Sequence, residues 1–181
     1  MRPETMKLLR DTETMLSAFE LGQIIEIDRE TVNNWNRRDL ISRFAPGGRR
    51  IRHRLFSTEE LYKTALMKEL VDLNIQPSAA REAVNVLWKE WGKKDAPDGW
   101  EVYAMLVPSN DKWNVALCSQ KISGGPLYKL GKSMGSKSVE EMELPKRAFA
   151  VIPISDIFER VSSKLSELLG EVKNHGAKGK P

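Results

Sequence analysis

The chain is poor in the residues that bind metals or form cross-links, with one cysteine and two histidines among its 181 residues. A single thiol, Cys118, excludes an intramolecular disulfide, and His53 with His175 offers no zinc-ligand spacing. No apolar run approaches the ~18 residues that a membrane span needs, and the opening MRPETMKLLRDTETM is charged throughout. The expectation is a cytoplasmic protein, neither exported nor membrane-bound, that needs no metal or cofactor. Arginine is concentrated in one stretch. From Arg29 to Arg54 there are eight arginines against Glu30 and Asp39, a local excess of six positive charges. The whole chain carries a formal +4, so the remainder sums to about −2. Positive potential focused in this way attracts polyanions, of which phosphate backbones are the commonest in a cell.

What is present begins with helix starts. The first N–H groups of a helix lack internal partners and are met by a capping side chain. Ser17 with Glu20 forms the pattern of a capping box, flanked by Leu16 and Leu21 as a hydrophobic staple, and Ser57 with Glu60 repeats it between Phe56 and Leu61. Asp28 stands between Ile27 and Val32 in the same positions. Gln76 precedes Pro77, which suits the first helical position. Between these starts the apolar spacing is helical: Leu21, Ile24 and Ile25, then Leu61, Leu66, Leu70 and Leu73, then Val84 and Leu87. The first two starts lie eleven residues apart. That interval fits two turns of helix, a tight turn and a second helix, the spacing of a helix-turn-helix.

Residues 41–56 read differently. Pro46, Gly47 and Gly48 supply a turn, and beyond it Arg50, Arg52 and Arg54 alternate with Ile51, His53 and Leu55. The pattern predicts a hairpin whose apolar face rests on the helices while an arginine comb faces outward.

From LSAFELGQIIEIDRETVNNWNRRDLI through RLFSTEELYKTALMKELVDLNIQPSAAREAV, the chain resembles the MerR family of bacterial transcription regulators. Glu20, Leu21, Thr31, Val32, Trp35, Leu40, Phe56, Leu61 and the segment from Leu70 to Ile75 carry the resemblance, which covers residues 15–88. It implies a winged helix-turn-helix, with 29–38 as a recognition helix in the major groove and 41–56 as a wing along the backbone. It also implies a homodimer that distorts promoter DNA for RNA polymerase. The chain departs from the family where Glu26 and Asp39 stand at positions that usually hold glycine, and at Asn33, Asn34 and Trp35, where a basic residue followed by aromatics is common.

The residues assign their own roles. A helix starting after Asp28 puts Arg29, Glu30, Asn33 and Arg37 on one exposed face, with Asn34 beside them and Val32 inward. Arg29 suits a fork onto guanine and Asn33 a two-pronged pairing with adenine, while Glu30 would accept from cytosine or orient Arg29. Arg37, Arg38, Arg43, Arg49, Arg50, Arg52 and Arg54 suit phosphates, which fix register without reading sequence. Trp35 and His53 are expected to be structural.

After residue 92 the composition changes. Residues 93–99 read as a linker, and WEVYAMLV, WNVALCSQ and RAFAVIPI read as strands, followed by a helix from near Ser155. The expected architecture is α+β. It comprises a flexible start over 1–14, a DNA-binding domain over 15–92, a small antiparallel sheet with a C-terminal helix over 100–173, and a flexible basic tail over 174–181. In that helix Ile154, Phe158, Val161, Leu165, Leu168 and Val172 follow the 4-3-4-3-4 rhythm of a two-helix seam. The stripe therefore serves either a dimer interface or packing on its own sheet.

Catalytic readings fail. GPLYKLGKS resembles a phosphate-binding loop, but five residues separate Gly125 from Gly131 where the motif needs four. Cys118 has no base beside it and sits in an apolar strand. Trp100, Tyr103 and Trp113 would line an effector pocket, or simply a core. The sequence points to no enzyme. It points to a DNA-binding regulator, with an excisionase-like architectural protein or a protein-binding adaptor as the alternatives.

Overall fold

A computed structural model describes residues 14–42, 55–91, 100–109, 112–121, 128–129, 140–141 and 150–177. The expected linker at 93–99, the hairpin turn at 46–48, the glycine-rich loop from Gly125 to Gly131, most of the flexible start and the last four residues of the tail lie outside them. The architecture is α+β. Strand β1 (Met15–Ser17) leads into α1 (Ala18–Ile25), and a short turn leads to α2 (Arg29–Arg37). Strand β2 (Leu55–Ser57) opens α3 (Thr58–Asp72), which α4 (Pro77–Trp91) follows. The second half contains β3 (Trp100–Ser109), β4 (Lys112–Lys121), the two-residue strands β5 (Tyr128–Lys129) and β6 (Glu140–Glu141), β7 (Ala150–Pro153) and α5 (Ile154–Ala177).

The caps act largely as the sequence predicts. Ser17 is extended, its Oγ accepts from the Glu20 N–H at 3.2 Å, and Glu20 Oε2 accepts from the Ser17 N–H at 2.6 Å, which completes the box. Leu16 and Leu21 are buried beside it. Proline opens α4, where a missing N–H costs nothing. Leu61, Leu66 and Leu70 are buried along α3, but Leu73 is 54 % exposed. The helix ends at Asp72, and Asn74 takes a left-handed φ of 63° that lets the Ile75 N–H bond back to the Leu70 carbonyl at 3.1 Å. Leu73 therefore lies in the cap rather than on the inward stripe.

Two antiparallel sheets result. The smaller joins β1 to β2, with Leu16 opposite Phe56 and both buried. The larger has the strand order β6-β5-β4-β3-β7. Strands β3 and β4 pair over ten residues, from Trp100 with Lys121 to Ser109 with Lys112. Period-two alternation along β3 puts Val102, Ala104 and Leu106 on one face, all of them buried. Helix α5 crosses β3 and also meets α3 and α1, while α4 packs on β4. One hydrophobic core consequently runs from Leu16 to Leu165 and includes residues from both halves of the chain.

Of the two uses open to the α5 stripe, a dimer interface or its own sheet, the described part is buried inside the monomer. Ile154, Phe158, Val161 and Leu165 are each 2 % exposed or less. The apolar face of β3 and the rings of α3 and α4 cover them. Phe158 meets Tyr62 edge-on, centroids 4.9 Å apart, and lies 6.2 Å from the Trp88 ring. Leu168 packs at the rim of the core, and the side chain of Val172 lies outside the described residues. The helix itself continues to Ala177, into the stretch expected to be a flexible tail.

A polar contact sits in this junction. Ser162 Oγ donates to the Phe158 carbonyl at 2.7 Å. With its only proton used there, it accepts from the Tyr62 hydroxyl, also at 2.7 Å. Burial raises the Tyr62 pKa and so keeps the donor proton in place. Because Phe158 fills the monomer core, Phe158→Ala should cost about 3–5 kcal/mol of unfolding free energy. In urea titrations that loss should be the same at every protein concentration. A loss that shrank on dilution would instead identify a seam between chains.

Candidate nucleic-acid interface

Helix α2 is short, so its placement depends on its two ends. At its start Asp28 is extended, and its carboxylate accepts twice from Thr31, from the N–H at 2.8 Å and from Oγ1–H at 2.6 Å. The Thr31 hydroxyl and backbone bonds hold the Asp28 pKa below the usual 3.8. Before it, the turn from α1 is tight. The Gly22 carbonyl accepts from the N–H of Glu26 and from that of Ile27, the latter at 3.0 Å, while Glu26 adopts a left-handed φ of 59°. A Cβ on Gly22 would stand 2.7 Å from the Ile27 carbonyl oxygen. Glycine is thus required by the close approach of backbone to backbone.

The far end is fixed as firmly. Asp39 takes a left-handed φ of 54°, and the Leu40 N–H returns to the Trp35 carbonyl at 2.9 Å. Asn36 is 3 % exposed, and its Nδ2 donates to the Ile41 carbonyl at 3.1 Å. A buried amide must be paired, so this bond ties the chain leaving α2 to the helix itself. The sequence drew no attention to Asn36 or Gly22, although a glycine inside an amphipathic helix is itself a signal, since it disfavours helix.

Between these ends α2 has two faces. Val32, Trp35 and Asn36 are buried. At ~100° per residue they fill one arc, and Arg29, Glu30, Asn33, Asn34 and Arg37 fill the other, with Arg38 at the cap. Arg29, Glu30, Asn34, Arg37 and Arg38 are exposed, and Asn33 is half-buried at the edge of the face. Six of the expected contact residues thereby share one surface. Trp35 belongs to the core, as expected of it. The wing arginines Arg43, Arg49, Arg50, Arg52 and Arg54, and His53, lie outside the described residues.

The base of that arginine segment is described on both sides. Ser42 precedes it, and its N–H donates to Glu60 Oε1 at 2.9 Å. Leu55 follows it, opposite Ser17 in the β1–β2 pair. Glu60 comes from α3 and meets Arg81 from α4, with Nη2 donating to Oε2 at 3.2 Å. Arg81 Nη1 lies 2.9 Å from Oε1 but is not aligned for a hydrogen bond, so it contributes through Coulomb attraction. Burial raises the Glu60 pKa, opposed by Arg81 and the Ser42 N–H.

On the opposite side, α5 holds the turn between α1 and α2. Lys164 pairs with Glu26, whose pKa its hydrogen bond and charge lower, and Arg160 pairs with Glu69. Of the other candidates in the sequence, Cys118 and Tyr103 are described. Cys118 is 1 % exposed on β4. The Tyr103 hydroxyl donates to Glu101 Oε2 at 2.5 Å, a bond that pushes its pKa up to about 12. The side chains of Trp100 and Trp113 lie outside the described residues. Among the described residues no cluster of three His, Cys, Asp or Glu side chains could hold a metal, and no helix is long and apolar enough to cross a membrane. No protein-family model matches the chain, and no curated protein does either.

Two outcomes follow from the start of α2. Gly22→Ala should destabilise the fold by about 1–3 kcal/mol, read from chemical denaturation, because the clash is with backbone and not with a side chain that could rotate away. Asp28 has a depressed folded-state pKa, so its contribution is complete above the ordinary aspartate range and is lost as pH falls through the folded value. An NMR titration from neutral to acid pH should loosen the first turn of α2 below pH ~4 in the wild type. In Asp28→Asn, which caps without a charge, that pH dependence should vanish.

Proposed function

We propose that the chain is a sequence-specific DNA-binding transcription regulator built on a MerR-like winged helix-turn-helix. The observation that carries the reading is the outer face of α2. Arg29, Glu30, Asn34, Arg37 and Arg38 stand exposed together, with Asn33 at the edge, on a helix whose both ends are locked. A helix presented in this way fits a major groove about 12 Å wide. Arg29 and the asparagines are suited to base edges, and Arg37 and Arg38 to phosphates on either side.

Two further features support the resemblance. Glu26 and Asp39, which stand where the family usually has glycine, both adopt left-handed backbone. Strand β2 pairs with β1, so the chain that leaves α2 at Ser42 is described again at Leu55 beside the strand that opens α1. The arginines of residues 43–54 would lie along the backbone and supply affinity rather than discrimination. A two-fold operator would require two copies, and the buried face of α5 leaves that contact to other surfaces.

Binding to genomic DNA, mapped across the chromosome and followed by titration of the sites found, tests the reading. Arg29→Ala should relax the preference at one base pair by about 1–3 kcal/mol. Replacing Arg50, Arg52 and Arg54 together should weaken all sequences alike and lower the salt slope by about one unit for each phosphate no longer neutralised. Sites at promoters support regulation, and sites at recombination junctions would assign the same domain to DNA bending. If neither set of substitutions moves affinity or salt slope, the assignment of α2 and the arginine segment to DNA fails.

A further inference from the structure

The exposed charges of α2 stand without partners. On α3 and α5, by contrast, Lys63 pairs with Glu59, Lys68 with Asp72, Arg160 with Glu69 and Lys164 with Glu26. Among the described residues no such pair includes Arg29, Glu30, Arg37 or Arg38. Glu30 therefore does not orient Arg29. Nor does it cap the helix, since Asp28 already accepts from the Thr31 N–H and hydroxyl. An unpaired carboxylate on a face that would meet phosphates weakens attraction to every duplex, so it has to gain something that a neutral residue would not.

Its place on the helix supplies that gain. At ~100° per residue, the direction opposite the mean of the buried Val32, Trp35 and Asn36 falls about 15° from Glu30, about 30° from Asn34 and Arg37, about 70° from Asn33 and about 110° from Arg29. Glu30 is thus nearest the middle of the outer face, and Asn34 and Arg37 continue its stripe at i+4 and i+7. Arg29 stands at the side, from which the length of its side chain brings it to a base edge. For a helix laid in the major groove, the middle of the outer face meets base edges and its sides meet the two backbones. A carboxylate accepts hydrogen bonds and donates none. Guanine and thymine present no donor in that groove, and adenine sets its N7 acceptor beside its amine, where a second acceptor is repelled. Cytosine presents the N4 amine alone on its edge. We infer that Glu30 is a specificity-determining residue that selects cytosine, and so a G·C pair in one orientation, opposite the middle of α2. The inference rests on the DNA-binding reading proposed above.

The test uses the full chain, a pool of duplexes with a randomised centre, and the variants Glu30→Gln and Glu30→Ala. Glu30 is exposed and both variants keep the Asp28 cap, so their urea midpoints should match the wild type. Sites selected by the wild type should contain one base pair at which cytosine is preferred roughly five- to tenfold, the low end of direct readout, because the contact is a single acceptor. Glutamine adds a donor beside its acceptor and matches adenine N6 and N7. Glu30→Gln should therefore turn that preference to adenine, and Glu30→Ala should abolish it, with preferences at the other positions retained. If both variants keep the wild-type preference at every position, the inference is overturned, even where all duplexes bind more tightly, because Glu30 then only repels phosphates. That result leaves the DNA-binding reading in place. A wild type that binds no duplex, or binds all of them alike, ends that reading and the inference together.

Discussion

The backbone contact between Gly22 and Ile27 governs how α2 is presented. A helix of nine residues gains too little from its own hydrogen bonds to hold an orientation. Its direction comes from α1, the element it packs on most, through a turn so tight that a methyl group on Gly22 would collide with a carbonyl oxygen 2.7 Å away. Glu26 completes that turn in a left-handed conformation that disfavours most side chains by roughly 1–2 kcal/mol. The second half of the chain braces the same point, since Lys164 of α5 pairs with Glu26. The outer face of α2 is therefore aimed by residues that are not on it.

The bracing has a cost for symmetry. A helix with a 4-3 apolar rhythm can meet another chain or its own, and geometry chooses. Here the sheet places Val102, Ala104 and Leu106 against α5, and α3 brings Tyr62 onto Phe158, so the stripe is covered within the monomer. Covering it this way joins the two halves into one core, and the bond from Tyr62 to Ser162 fixes their register with a directional contact that apolar packing lacks.

Much of this was legible locally. Helix starts at Ala18, Arg29, Thr58 and Pro77 follow from Ser17, Asp28, Ser57 and the proline itself, because capping is a contest among neighbours within three residues. The strands of the second half were legible in outline from their apolar and β-branched content, and the exposed face of α2 from spacing alone. Leu73 was misplaced because helical periodicity does not say where the helix stops. Glu60 was read as a copy of Glu20, and no local signal could separate them, since the partners that draw its carboxylate away are 18 and 21 residues distant.

The sequence by itself determined the helix starts, the α+β class, the concentration of arginine in one segment and the amphipathic division of α2, because each depends on interactions within a turn or two of chain or on composition. Only the tertiary structure decided which of two equivalent glutamates caps and which anchors Ser42, whether the α5 stripe faces its own sheet or a partner, and why Gly22 and Asn36 are needed. Those outcomes turn on which groups meet after the chain has folded. A buried charge, amide or ring takes the partner that packing brings within reach.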